Sequence, residues 1–151
     1  MSETVEKAWF FTAAELYVLL YSRKIEKLPL FEGIAVFVPD ERQIVQAAVS
    51  LAANGVLSPT DHALVLEKEI RDSLDVLENY DFTVIERTRG GVRAPRCIYV
   101  KEQRTVLLSP DTASDVRYRL EYVSLDSLLL HAEEFGLTSS EKGLISDIGN
   151  N

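Results

Sequence analysis

The sequence is poor in cysteine, with Cys97 as the only one among 151 residues. An intrachain disulfide is therefore excluded, and a single thiol fits a reducing compartment such as the cytoplasm. Cys97 lies in the strand-like run Arg-Cys-Ile-Tyr-Val, and no neighbouring residue is an obvious base that would activate it. We therefore expect a small, buried hydrophobic side chain rather than a nucleophile.

Long apolar runs are also absent. No stretch approaches the roughly 20 apolar residues that a helix needs to cross a bilayer. The chain begins acidic, without the basic, apolar and cleavage segments of a signal peptide. Linkers, repeats and low-complexity segments are missing as well. These features predict one cytoplasmic domain over residues 1–137, with no membrane association, followed by a short, frayed tail over residues 138–151.

Motifs of catalysis and metal binding are missing too. A zinc site needs three or four convergent ligands, but His62 and His131 are the only histidines and no HExxH or CxxC pattern occurs. No GxSxG elbow is present, and the turn at Gly90-Gly91 lacks the GxxxxGK[ST] phosphate loop. We expect both histidines at the surface, no metal, no cofactor and no enzymatic activity. An active site built from distant carboxylates leaves no local signature, so an enzyme is the third and least favoured alternative.

What the first half of the sequence does contain is a series of helix signals. Thr12 and Glu15 have the spacing of a capping box, and Ser58-Pro59 has the composition of a helix start. The run from Gly33 to Val38 is either a short strand or an apolar loop. Three N-terminal helices are predicted, from about Thr12 to Arg23, from Asp40 to Asn54-Gly55, and from Ser58 to Glu78.

The second half changes to the period of β-strands. Tyr118, Leu120 and Tyr122 alternate with Arg119 and Glu121, which predicts a strand with one apolar face. An antiparallel meander with one solvent-exposed face accounts for all four predicted strands. They lie at residues 82–88, 96–102, 105–109 and 118–123. A C-terminal helix from Ser124 to Gly136 completes an α+β fold.

Charge is unevenly distributed in this acidic chain, whose formal net charge is −8. Residues 86–104 carry six basic and two acidic side chains, a local net charge of +4. Such a cluster on a strand–turn–strand fits either a docking site for an anionic partner or an ordinary solvated sheet face. The predicted partner-binding residues are Arg87, Arg89, Arg93, Arg96 and Arg119.

A winged-helix DNA-binding regulator is the second functional hypothesis. The predicted order of helix, apolar run, helix, helix, strand, turn and strand is winged-helix-like over the first two-thirds of the chain, with Arg89 to Arg93 as a basic wing. In that fold the third helix enters the major groove. Here, however, residues 59–78 carry six acidic and two basic side chains, which opposes phosphate contact. Protein binding is therefore the leading hypothesis, ahead of nucleic acid.

Along most of the chain, the spacing of apolar residues and of turn residues resembles that of a known protein family. These residues comprise Phe11 to Leu16, Ile25 to Pro29, Leu51 to Leu57, the helix to Leu77, the strands, and Ser124 to Leu129. In these features the chain resembles the EspG-type accessory proteins of type VII secretion systems. The resemblance implies a cytosolic chaperone that holds secreted substrate proteins with a sheet and helices, and it transfers no catalytic residue.

Members of that family look like tandem α+β units, whereas this chain has the length of about one such unit. Three arrangements stay open: the chain acts alone, it pairs with itself as a homodimer, or it does something else.

Overall fold

A five-stranded antiparallel sheet with helices on both faces forms the centre of the chain. The computed structural model describes residues 7–31, 39–59, 64–86, 95–110 and 117–149. The described helices are α1 (Ala13–Ser22), α2 (Glu41–Ala53), α3 (Lys68–Asn79), α4 (Leu125–Leu130) and α5 (Ser139–Gly149). The described strands are β1 (Lys7–Thr12), β2 (Leu57–Pro59), β3 (Leu64–Leu66), β4 (Phe82–Glu86), β5 (Arg96–Lys101), β6 (Arg104–Pro110) and β7 (Arg117–Ser124). The predicted α+β class is confirmed.

The large sheet has the strand order β1-β7-β6-β5-β4. Strands β4 to β7 pair with their neighbours in sequence, all antiparallel, as the predicted meander requires. Strand β1 adds an edge that was not predicted, and it pairs with β7 so that Trp9 lies opposite Leu120. The segment Lys7–Thr12 shows no clear alternation of its own, so its strand conformation depends on this long-range pairing.

Helices cover both faces of the sheet, so the prediction of one solvent-exposed face is wrong. On one face, Cys97 and Tyr99 pack in a core that includes residues of α1 and α3. On the other face, Ile98 and Val100 pack in a second core with residues of α4 and α5. A strand covered on both sides is an almost continuous run of buried residues rather than an alternation. The predicted burial of Cys97 is confirmed, since its side chain is fully enclosed in β5.

The predicted starts of α1 and α2 and the predicted stop of α2 are confirmed in atomic detail. Thr12 Oγ1 accepts a hydrogen bond from the Glu15 amide at 3.1 Å, and Glu15 Oε1 accepts one from the Thr12 amide at 2.8 Å. Asp40 and Gln43 form the same reciprocal pair at the start of α2. Gly55 follows α2 with a φ of +77°, the left-handed conformation expected of a glycine at a helix stop.

The third helix is shorter than predicted. Ser58 belongs to β2, which pairs with β3 in a small two-stranded sheet, and α3 begins only at Lys68. This pairing buries Leu57 and thereby overrides the local helix-start signal of Ser58-Pro59. Because β2 and β3 lie between α2 and α3, the described elements do not follow the predicted winged-helix-like order. The run at residues 33–38 and His62 lie outside the described residues.

The C-terminal end also differs from the prediction. Helix α4 ends at Leu130, and turns continue to Gly136. The segment that was expected to be a frayed tail forms α5, where Thr138 and Glu141 exchange hydrogen bonds as a capping box. Ile145 on α5 is fully buried against the sheet, which explains why this helix is docked. Among the described residues, no helix combines the length and apolarity that crossing a bilayer demands.

Candidate functional site

The predicted basic surface is not one continuous surface in the described part of the chain. Arg87, Arg89 and Arg93 lie outside the described residues. Arg96 was expected on an exposed face, but its side chain is only 4% accessible. The expectation for Arg96 is therefore wrong, because the turns after α4 and the helix α5 cover that end of the sheet. Arg119 is exposed, as predicted.

Arg96 is the centre of a buried charge cluster. Its Nε donates a hydrogen bond to Glu86 on the neighbouring strand, and its Nη1 donates one to the Phe135 carbonyl at 2.5 Å. Burial, together with a hydrogen bond to Glu141, raises the pKa of Glu86. Burial opposes ionisation of Glu141 as well, but hydrogen bonds to Glu86 and Thr138 outweigh it and lower the pKa of Glu141. The cluster thus links β4 and β5 to the turn after α4 and to α5.

Arg119 belongs to a small exposed patch near the β1 edge. Its guanidinium lies 5.8 Å from the centre of the Phe10 ring, and its Nε lies 3.3 Å from Glu121 Oε1. The register of the strands places Arg96 and Arg119 on the same face, two strands apart. One of the two is buried and the other is partly neutralised by Glu121, so together they do not form a strongly cationic surface.

An apolar groove lies on the opposite side of the molecule, between α1, α2, the β2–β3 hairpin and α3. Its cavity volume is about 450 Å³. Leu19 and Leu57 at its base are core residues with 1% and 7% exposure, whereas Val65 at its edge is 41% exposed. The apolar lining residues are Val18, Leu19, Ala48, Leu57, Val65 and Leu66. The groove thus gives solvent access to the top of one hydrophobic core.

A stripe of exposed apolar side chains on α2 continues from this groove. Val45 and Val49 are 57% and 64% exposed, and Ile44 is 38% exposed. Residues three and four apart share a side of a helix, so Ala48, which lines the groove, lies between Ile44 and Ala52 on α2. Ala48 also neighbours Val45, which in turn neighbours Val49. We call these five residues the α2 stripe. Contiguous exposed apolar surface of this kind marks interaction sites more often than scattered single residues do.

Two arginines lie at the edge of the groove, and no acidic residue is found among its described lining residues. Arg23 Nη1 donates to Glu78 Oε1 at 3.2 Å, and its Nη2 donates to the Arg71 carbonyl at 3.3 Å. The Arg71 side chain is exposed. In a chain with 24 acidic and 16 basic residues, this cationic edge is a local exception.

The sequence patterns described above do not predict this surface. The signal in the sequence was the width of the apolar face of α2, which is broader than one packing contact can cover. In the structure only Ala47 and Leu51 of this helix are buried.

A second cavity, of about 360 Å³, lies beside His131 and Lys142. His131 was expected at the surface, but its side chain is only 23% accessible, and its Nδ1 lies 3.6 Å from Glu134 Oε1. The described residues contain no group of three or more His, Cys, Asp or Glu side chains placed to hold a metal ion.

No protein-family model matches the sequence, and no curated protein is significantly similar to it. The groove and the α2 stripe are apolar at the centre and carry arginines at the edge.

Proposed function

We propose that this chain is a non-enzymatic protein-binding module that holds its partner on the groove and the α2 stripe. One observation carries the proposal: Val45 and Val49 are more than half exposed on a helix whose Ala48 lines a groove that reaches core residues. Covering apolar surface gains about 25 cal/mol per Å². A partner that covers both features therefore gains hydrophobic free energy over a broad area.

A cytoplasmic accessory or chaperone role in type VII secretion, with a secreted protein as the substrate, is part of the proposal. The resemblance to EspG-type proteins implies that role, and an open apolar surface fits it. Proteins held before export expose apolar segments that aggregate unless they are covered. A homodimer that offers two such surfaces is an alternative assembly within the same function.

The position of α3 supports protein binding over DNA binding. Ile70, Leu74 and Leu77 of α3 are buried in the core that it shares with the sheet, so this helix is a packing element. Its charged residues comprise Lys68 and Arg71 against four acidic side chains. An acidic, sheet-packed helix offers little attraction to a phosphate backbone.

The direct test is a pull-down from the native host with matched variants. Val45→Ser with Val49→Ser removes the two valines of the α2 stripe, both more than half exposed, without touching a buried residue. Leu130→Ser is the control, because Leu130 is 72% exposed but belongs to α4 on the other side of the sheet. We expect a defined partner that binds the wild type and the control and is lost with the double variant. Equal recovery by all three proteins would contradict the assigned surface.

The basic strand–turn–strand is tested in the same experiment. Arg89→Glu with Arg93→Glu reverses two charges of the predicted partner-binding set. If the groove and the α2 stripe are the main contact, this variant keeps its partner. If only the arginine variant loses the partner, the partner-binding surface is the basic strand–turn–strand and not the groove.

A further inference from the structure

The charged residues at the edge of the groove indicate which charge on a partner this surface favours. Arg23 and Arg71 are the charged residues among its described lining residues. Arg23 is already engaged by Glu78, while the side chain of Arg71 is exposed and no described carboxylate forms an ion pair with it. An approaching acidic group therefore gains at least one charge-assisted contact, whereas a basic group meets repulsion.

The shape of the surface separates a macromolecule from a small ligand. The cavity of about 450 Å³ is within the range of small-molecule pockets. However, the apolar surface does not end at the cavity. It continues over Ala48 to Val45 and Val49 on the outer side of α2. A small molecule in the groove would leave these valines in water, whereas a partner helix lying along α2 would cover both.

Building on the proposed function, we infer that the groove and the α2 stripe bind an amphipathic helix of the partner protein, with acidic residues beside the helix's apolar face. The helix places apolar side chains at positions i, i+3, i+4 and i+7 into the groove and across the stripe, the usual geometry of helix-in-groove recognition. Its carboxylates lie at the edge that carries Arg71. The small residues Ala48 and Ala52 of α2 allow the two helix backbones to approach closely.

The test uses designed peptides with the full chain. One fluorescein-labelled helical peptide of about 18 residues has leucines on one face and glutamates on its flanks. A second peptide is identical except that lysines replace the glutamates. Fluorescence anisotropy is measured at about 0.15 M salt, which screens the net charge of the whole chain beyond about 8 Å, for the wild type, for Arg71→Glu, and for Lys142→Glu. Lys142→Glu is the matched control, since it makes the same change of charge at an exposed site on α5.

We expect the acidic peptide to bind the wild type at least about tenfold more tightly than the basic one. Arg71→Glu should reduce or reverse that preference, and Lys142→Glu should keep it. If Arg71→Glu loses the native circular dichroism spectrum, Arg71→Gln replaces it, because this substitution removes the charge without reversing it.

The outcomes separate this inference from the proposed function. Equal binding of both peptides would overturn the inferred acidic helix but not the proposed protein-binding function. The same holds if neither peptide binds while the pull-down partner still depends on Val45 and Val49. Tight binding of a free fatty acid in place of the acidic peptide also overturns the inference. Failure of the pull-down and of both peptides removes the two proposals together.

Discussion

Arg96 Nε donates a hydrogen bond to the Glu86 carboxylate in the interior, where both side chains are at most 4% accessible. Removing one partner of a buried ion pair leaves the other charge without compensation, which costs about 3–5 kcal/mol. We therefore expect Arg96→Met to lower the free energy of unfolding by about 3 kcal/mol at neutral pH. Urea denaturation followed by circular dichroism measures this change.

Glu86→Gln is the reciprocal variant. Glutamine keeps an acceptor oxygen for Arg96 but removes the carboxylate charge. The buried guanidinium then lacks its compensating charge, so we expect a loss of similar size, about 3 kcal/mol. A loss below about 1 kcal/mol in Arg96→Met would show that the cluster does not secure the fold.

The opposite pKa shifts of Glu86 and Glu141 predict a dependence of stability on pH. Glu86 has a raised pKa in the folded state, so its contribution is present below its unfolded pKa and is lost as pH rises through the folded pKa. Glu141 has a lowered pKa, so its contribution is present above its unfolded pKa and is lost as pH falls through the folded pKa. The pair therefore stabilises the chain most in the mildly acidic window between the two folded values.

Glu86→Gln removes the titrating carboxyl group and therefore the decrease in stability on the alkaline side of that window. We expect the unfolding free energy of the wild type, relative to Glu86→Gln, to fall as pH rises above 4.5, the ordinary glutamate pKa, towards neutral pH. Urea titrations of both proteins across this range measure the difference. Parallel curves for the two proteins would contradict the raised pKa of Glu86.

Asp75 joins α3 to the β5–β6 hairpin through two cations. Its Oδ2 accepts hydrogen bonds from Arg104 Nη2 at 2.7 Å and from Lys101 Nζ at 3.0 Å. These contacts lower the pKa of Asp75 from 3.8 to about 2. The contribution is therefore complete above the unfolded pKa and is lost as pH falls through about 2.

Because Asp75 is partly exposed, water screens the interaction. We expect Asp75→Asn to cost about 1 kcal/mol at pH 7, and the cost to disappear at about pH 2. Thermal unfolding at both pH values checks this, with the exposed Asp147→Asn as a control of equal charge change. An equal effect of the two substitutions would remove the specific role of Asp75.

The elements that the sequence predicts well are those with local physical causes. The Thr12–Glu15 and Asp40–Gln43 ends of the helices depend on hydrogen bonds within four residues, and both form. The meander follows from strand-type runs and turns close in sequence. The bounds of its strands differ from the prediction by at most one residue within the described part. The two residues that follow β4 lie outside that part.

The features that the sequence does not reveal depend on distant contacts. β1 is defined by its pairing with β7, more than 100 residues away. Arg96 has the sequence context of an exposed strand residue, and its burial depends on α5, whose two glycines weaken the helix signal. The groove brings together residues of α1, α2, the β2–β3 hairpin and α3, and no spacing in the sequence specifies that arrangement.

Site-specific photo-cross-linking at Val49 tests the central claim most directly. A photoreactive amino acid replaces Val49 in one protein and Lys142 in another, and each protein is irradiated in the native host. Cross-linked peptides are then identified by mass spectrometry. A contact surface on the α2 stripe predicts a discrete adduct with a helical segment of one partner from position 49 and none from position 142. An adduct from position 142 together with none from position 49 would contradict it.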